Sequence, residues 1–183
     1  MAKKKVLVVV DYQKDFVDGA LGFEGAEKLD TGIAALMKQY AEDDNGLILC
    51  TFDTHGANYL DTQEGRKLPV EHCIDGTEGW KLYGETEMME IMYPMKCTRI
   101  KKPTFGSTKL AENLLRVDKQ YGIESITLVG VVTNMCVISN AVVAKAACPE
   151  AEIIIKKDLV DSFDKELHQK ALDVMASMQM TLE

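Results

Sequence analysis

Several polar residues stand where short apolar runs of this chain stop. Asp11 closes "KVLVVVD", Asp53 and His55 follow "GLILCT", Lys102 closes "KCTRIKK", and Cys136 lies just beyond "SITLVGV" in the stretch "GVVTNMCVISNA". A carboxylate, an ammonium and a thiol are the parts of nucleophilic acyl chemistry: a thiolate attacks a carbonyl, a base takes the thiol proton, and a cation steadies both anions. A thiol at a helix N-terminus is expected to have its pKa lowered by unpaired amides, and Lys102 would lower it further. Only three histidines are available: His55 and His72 fall in a long polar segment, and His168 sits among helical neighbours as a structural residue. Asp11 is therefore the better candidate base for Cys136. The amides around "VVTNMC" offer donors to a developing oxyanion.

The polar segment holds a second group. "DTH" sets Asp53 and His55 two apart, on one side of an extended stretch, and Glu64 and His72 can close on them from further along. Carboxylate and imidazole donors suit Zn²⁺, Mn²⁺ or Fe²⁺. A hydrogen-bonded polar loop without an ion fits the same spacing.

Taken singly, each residue has an ordinary explanation: an Asp after a strand caps a turn, a Lys is solvated, and a lone Cys is a small buried hydrophobe. Whether they converge depends on the elements that carry them. Residues 5–11, 46–51, 96–102, 125–131 and 151–157 are short β-branched runs, several apolar on both faces, and read as strands of a covered sheet. Leu29, Ile33, Leu36 and Tyr40 recur at helical spacing, as do Leu110, Leu114 and Val117, and Ala171, Leu172, Met175 and Met178. This alternation over 183 residues predicts one α/β domain spanning 1–183, a three-layer α/β/α doubly wound parallel sheet. Such sheets place their chemistry at the carboxyl ends of the strands. Residues 52–83 break the alternation, and so long a connection is either disordered or functional.

Composition excludes several partners. A formal net charge of −8 repels a phosphate backbone and an anionic membrane surface, so neither nucleic acid nor membrane is expected. The basic start "MAKKK" is followed by only five apolar residues before Asp11, and no run approaches the roughly 18 apolar residues of a bilayer span. A soluble, cytoplasmic protein is expected, and its five scattered cysteines should be reduced thiols. The glycines of "GALGFEG" have the wrong spacing for a dinucleotide loop, so no nucleotide cofactor is expected.

The blocks "VVVDYQKDFVDGALGFEGAE", "DTH", "LPVEHCIDGTEGW", "KPTFGST" and "GVVTNMCV" resemble, in order and spacing over nearly the whole chain, the isochorismatase-like cysteine hydrolases, above all the nicotinamidase-like branch. The resemblance implies a triad of Asp11, Lys102 and Cys136, with Lys102 rather than Lys101 because it directly precedes "PTFGS". It implies an oxyanion hole at the Val132 and Cys136 amides, a cis peptide between Val131 and Val132, and substrate contacts from Phe16 and Val131. It also implies a divalent metal on Asp53, His55, Glu64 and His72, and a homo-oligomer. The activity implied is thiol-dependent hydrolysis of a small amide with ammonia release. Leu68 departs from the pattern, standing where nicotinamidases commonly carry an aromatic residue, and Met135 stands where many have His. Trp80 is a candidate to compensate from elsewhere in the chain. Substrate expectations therefore span nicotinamide-like and N-carbamoyl or ureide amides, beside a non-catalytic metal-binding, small-molecule-binding or redox-thiol protein on the same fold.

Overall fold

Runs such as "VLVVV" have no polar face to show to water, so they are stable only inside a sheet covered on both sides. The computed structural model, which describes residues 2–183, builds that sheet from β1 (Lys4–Val10), β2 (Gly46–Asp53), β3 (Cys97–Lys102), β4 (Ile123–Val131), β5 (Glu152–Asp161) and β6 (Thr181–Leu182). The order is β3-β2-β1-β4-β5-β6 and every pairing is parallel. Alternate residues of β1 feed opposite cores. Val6, Val8 and Val10 pack with Leu110 and Leu114 of α4 (Thr108–Tyr121), Ala141 and Ala144 of α5 (Ile138–Ala147), and Leu172 and Met175 of α6 (Lys165–Ser177). Leu7 and Val9 pack with Ile33 and Met37 of α2 (Asp30–Glu42), which lies beside α3 (Gly84–Met92). A short turn, α1 (Lys14–Val17), follows β1. No helix is long and apolar enough to cross a membrane, among the described residues.

The predicted three-layer doubly wound architecture is the one observed. Its strand order reverses between β1 and β4, and a crevice opens above the carboxyl ends of strands at such a reversal. Gly130 lets these two strands meet there: it has φ +109°, and a Cβ would fall 2.1 Å from the Val10 carbonyl oxygen.

Three features differ from the sequence expectation. β5 continues four residues past 157 because Lys156, Lys157 and Asp158 interrupt its apolar pattern on exposed or half-buried positions before Val160 returns to the core. β6 was not expected; it pairs with Ile154 and Ile155 through only two residues, too few to show a period. The 52–83 segment is ordered. Backbone hydrogen bonds tie it down: the His55 N–H donates to the Cys73 carbonyl at 3.0 Å, that of Asp75 to the His55 carbonyl at 2.9 Å, and that of Lys14, outside the segment, to the Lys81 carbonyl at 2.9 Å. Tyr59, fully buried, anchors its middle.

Candidate active site

β1 is followed directly by Asp11, whose φ of +45° is a left-handed conformation that few non-glycine residues adopt. Thr51 of β2 donates its hydroxyl to Asp11 Oδ1 at 2.7 Å. β3 ends at Lys102, and its ammonium meets Asp11 Oδ2 at 2.6 Å, with both side chains almost wholly buried. The same Nζ donates to the Thr104 carbonyl at 2.8 Å and lies 3.6 Å from Cys136 Sγ. Cys136 stands in a single wide helical turn, Thr133–Val137, between β4 and α5. Three residues distant in sequence are thus in mutual reach because β1, β3 and β4 end on one edge.

The electrostatics differ from the sequence expectation at Cys136. Burial pushes this thiol well above its ordinary value, Lys102 pulls it down only in part, and the Asp11 and Asp53 charges add to the rise. The expected low-pKa thiol belongs to an exposed helix terminus, whereas Cys136 is enclosed beside two carboxylates. Burial likewise raises Asp11 against the pull of Lys102. Lys102 is held well above its ordinary value although burial opposes the charge, because Asp11, Cys136 and Asp53 surround it. The Lys102 ammonium thus stands between the Asp11 carboxyl group and the Cys136 sulfur. Among the described residues, Asp11 Oδ2 has no hydrogen-bond donor apart from that ammonium contact, which leaves it free to take a proton.

The second cluster adjoins the first. Asp53 Oδ2 lies 3.0 Å from His55 Nε2 and 3.3 Å from His72 Nε2, and Glu64 Oε1 lies 3.8 and 3.9 Å from the same nitrogens. His72 Nδ1–H donates to the Val70 carbonyl at 2.8 Å, which directs its Nε2 lone pair into the cluster. A lone pair and a carboxylate oxygen at this separation repel unless a proton or a cation lies between them. Correspondingly, hydrogen bonding to Asp53 and Val70 outweighs burial and raises His72 above its ordinary value, while His55, His72 and Lys102 hold Asp53 well below its own against the opposing effect of burial. Separations of this size also match donors sharing an ion at about 2.0–2.2 Å. Asp53, His55, Glu64 and His72 thus fit a divalent metal by donor type, mutual spacing and tautomer.

Both clusters open into one cavity of ≈ 410 Å³. Cys136, Asp53, Glu64 and His72 line it, with Phe16, Val132 and Met135. Val131, expected at the substrate, does not line it: strand alternation turns Val131 with Val129 into the α2-side core, and Val132 takes its place in the wall. The Val131–Val132 peptide is cis. Trp80 also lies elsewhere, stacked on Phe52 at 4.9 Å and donating Nε1–H to Thr54 Oγ1 at 2.9 Å.

The Isochorismatase domain family matches residues 5–183. The chain belongs to the isochorismatase family. An uncharacterized isochorismatase family protein of Bacillus subtilis (strain 168), PncA, is 32% identical over 184 residues, 95% of each chain. A nicotinamidase/pyrazinamidase of Mycobacterium tuberculosis is 26% identical over 75% of this chain and 76% of its own. The crystal structure of nicotinamidase/pyrazinamidase PncA from Bacillus subtilis superposes with a TM-score of 0.86 at 28% identity, covering 98% of both chains.

Within this isochorismatase-family fold, further residues hold the site and carry no sequence signal of their own. Gln13 clamps Asp53 through its side chain, accepting from the Asp53 N–H at 2.8 Å and donating to the Asp53 carbonyl at 3.0 Å. Asn140 donates to the carbonyls of Cys136 and Phe105 at 2.8 and 3.0 Å, fastening the turn after β3 to the helix that carries the thiol. Tyr59 packs against both metal-cluster histidines, with ring centroids 4.6 and 5.0 Å away. His168, read from sequence as a structural residue, pairs its Nδ1 with the Thr133 hydroxyl at 2.9 Å, next to Val132.

Proposed function

We propose that this protein is a cysteine amidohydrolase that converts a small carboxamide of the nicotinamide kind to its acid, releasing ammonia. The observation that carries this reading is the Lys102 ammonium placed between the Asp11 carboxyl group and the sulfur of Cys136, which lines a walled cavity. Asp11 takes the Sγ proton as sulfur bonds to the substrate carbonyl carbon, so the buried thiolate exists only while it is being consumed. The Val132 and Cys136 amides receive the oxyanion; among the described residues, the Val132 N–H donates to no other backbone group. Collapse breaks the C–N bond, protonated Asp11 gives its proton to the leaving nitrogen, and ammonia departs. Asp11 then takes a proton from water as it attacks the thioester, and the thiol and carboxylic acid are released. Lys102 holds its charge throughout and stabilises each anion in turn. A divalent ion on Asp53, His55, Glu64 and His72 would supply a Lewis-acidic centre for a substrate heteroatom.

The direct test is ammonia release from nicotinamide and related amides by the metal-loaded protein and by Cys136→Ala. Release that is equal in both proteins would sink the reading.

Metal binding should depend on pH in a defined direction. Because His72 lies above its ordinary imidazole value of 6.5, a proton competes for Nε2 over a wide range. Zinc affinity is expected to fall about tenfold for each pH unit below that raised value and to be accompanied by proton release. Calorimetric titration in buffers of different ionisation enthalpy reads both. A flat affinity would remove His72 from the ligand set.

His168 is expected to act as a positioning residue. Burial lowers it from 6.5, with Asp161 opposing and Lys165 assisting, so at neutral pH it is an uncharged partner for Thr133. His168→Ala should cut kcat about 3–10-fold with KM changed less, and Thr133→Val should add little to it. Partial rescue by His168→Gln separates hydrogen bonding from packing; equal loss in both variants would refute the role.

A further inference from the structure

The cavity extends well past the reacting groups. Beyond Cys136 and the metal cluster, its walls are Leu21, Phe23, Leu68, Phe105, Met135 and Phe163, and among the described residues no charged or hydrogen-bonding side chain lines that outer part. Its ≈ 410 Å³ falls within the roughly 300–1,000 Å³ typical of sites for drug-sized ligands, more than a bare six-membered ring carboxamide fills. Phe23 and Phe163 meet edge to face, with centroids 6.4 Å apart and planes at 72°, which gives the outer wall a fixed shape. Phe105 and Phe163 are 44% and 58% exposed, so much apolar surface at the mouth gains by being covered.

Building on the amidase reading above, we propose that the preferred substrate is an uncharged aromatic carboxamide bearing an apolar substituent on the side of the ring away from the metal cluster. The amide sits over Cys136, the ring lies beside Phe16, and the substituent is gripped by Phe23, Phe105 and Phe163. A ureide or N-carbamoyl compound fits this outer part poorly, because its additional polar groups would leave water without finding a partner.

The test compares nicotinamide with a phenyl-substituted nicotinamide. On the metal-loaded wild type, kcat/KM should favour the substituted compound by about 10–100-fold. Phe163→Ala should shrink that ratio about tenfold, and Leu68→Trp, which fills the cavity, should shrink it further. Calorimetric binding of the same two amides to metal-loaded Cys136→Ala provides a readout independent of turnover, with the substituted amide expected to bind more tightly. A wild-type ratio at or below one, or equal binding of the two amides to Cys136→Ala, overturns the inference. If substituted and bare amides both bind in the expected order and neither is hydrolysed, the inference on the ligand stands and the amidase reading falls.

Discussion

Cys136→Ala should abolish ammonia release, lowering kcat by about 10⁴-fold or more while the protein stays folded. The size of the effect follows from the absence of a substitute. Cys73 adjoins a metal-cluster histidine, yet it is fully buried, does not line the cavity, and is pushed up by burial and by the charges of Asp53, Asp11 and Asp15. Cys136→Ser should be nearly as inactive, since a hydroxyl gives up its proton to Asp11 far less readily than a thiol does. The resting charge state gives an independent check. Because burial holds the Cys136 thiol above its ordinary value of 9.0, alkylation by iodoacetamide should keep rising with pH past neutrality instead of levelling off below it. A plateau at pH 6 would mean a preformed thiolate, contrary to the geometry described.

Lys102→Met should cost both activity and stability. In the metal-free protein it leaves Asp11 and Asp53 buried without their shared cation, and breaking such a pair is expected to destabilise by about 3–5 kcal/mol at pH 7. For a chain of this size that corresponds to a fall in Tm of about 6–20 °C. The pH dependence has a definite sign. In the wild type Asp53 is depressed, so its contribution is present above the ordinary carboxylate value of 3.8 and disappears as pH falls through the depressed value. Without the ammonium, burial dominates at Asp11 and raises its carboxyl group further, while the His55 and His72 hydrogen bonds still hold Asp53 down; at Asp11 the folded state then binds more protons than the unfolded one, and stability grows as pH falls. The gap between variant and wild type should therefore narrow from pH 7 to pH 5 in urea unfolding. A gap that does not change with pH would show that Lys102 is not the counter-charge.

What could be read from sequence here was whatever a strand end advertises. Asp11 and Asp53 stand at the ends of runs with clear apolar character, and Lys102 closes a shorter, more polar strand, so the topology places them together. The parts that were not legible depend on contacts between distant elements. The pKa of Cys136 is set by enclosure between Asp11, Lys102 and Asp53, which no local feature of "TNMCV" reveals. Val131 and Val132 are chemically alike, and only the strand's facing decides which reaches the cavity. His168 looks like one more residue in a helical stripe until α6 packs against the turn that carries Thr133.

The strand order also bears on how the protein is made. Asp11, Asp53, His55, Glu64, His72 and Lys102 all belong to the first 102 residues, and β1, β2 and β3 are neighbours on one side of the sheet. Cys136 comes from the other side, with the Val132 amide, brought in when β4 pairs with β1 across more than a hundred intervening residues. Such distant parallel pairings form late. Until that moment the emerging chain carries an open β1 edge and a thiol in its ordinary state, so the last strand to reach the centre both seals the sheet and brings the sulfur to its charged partners.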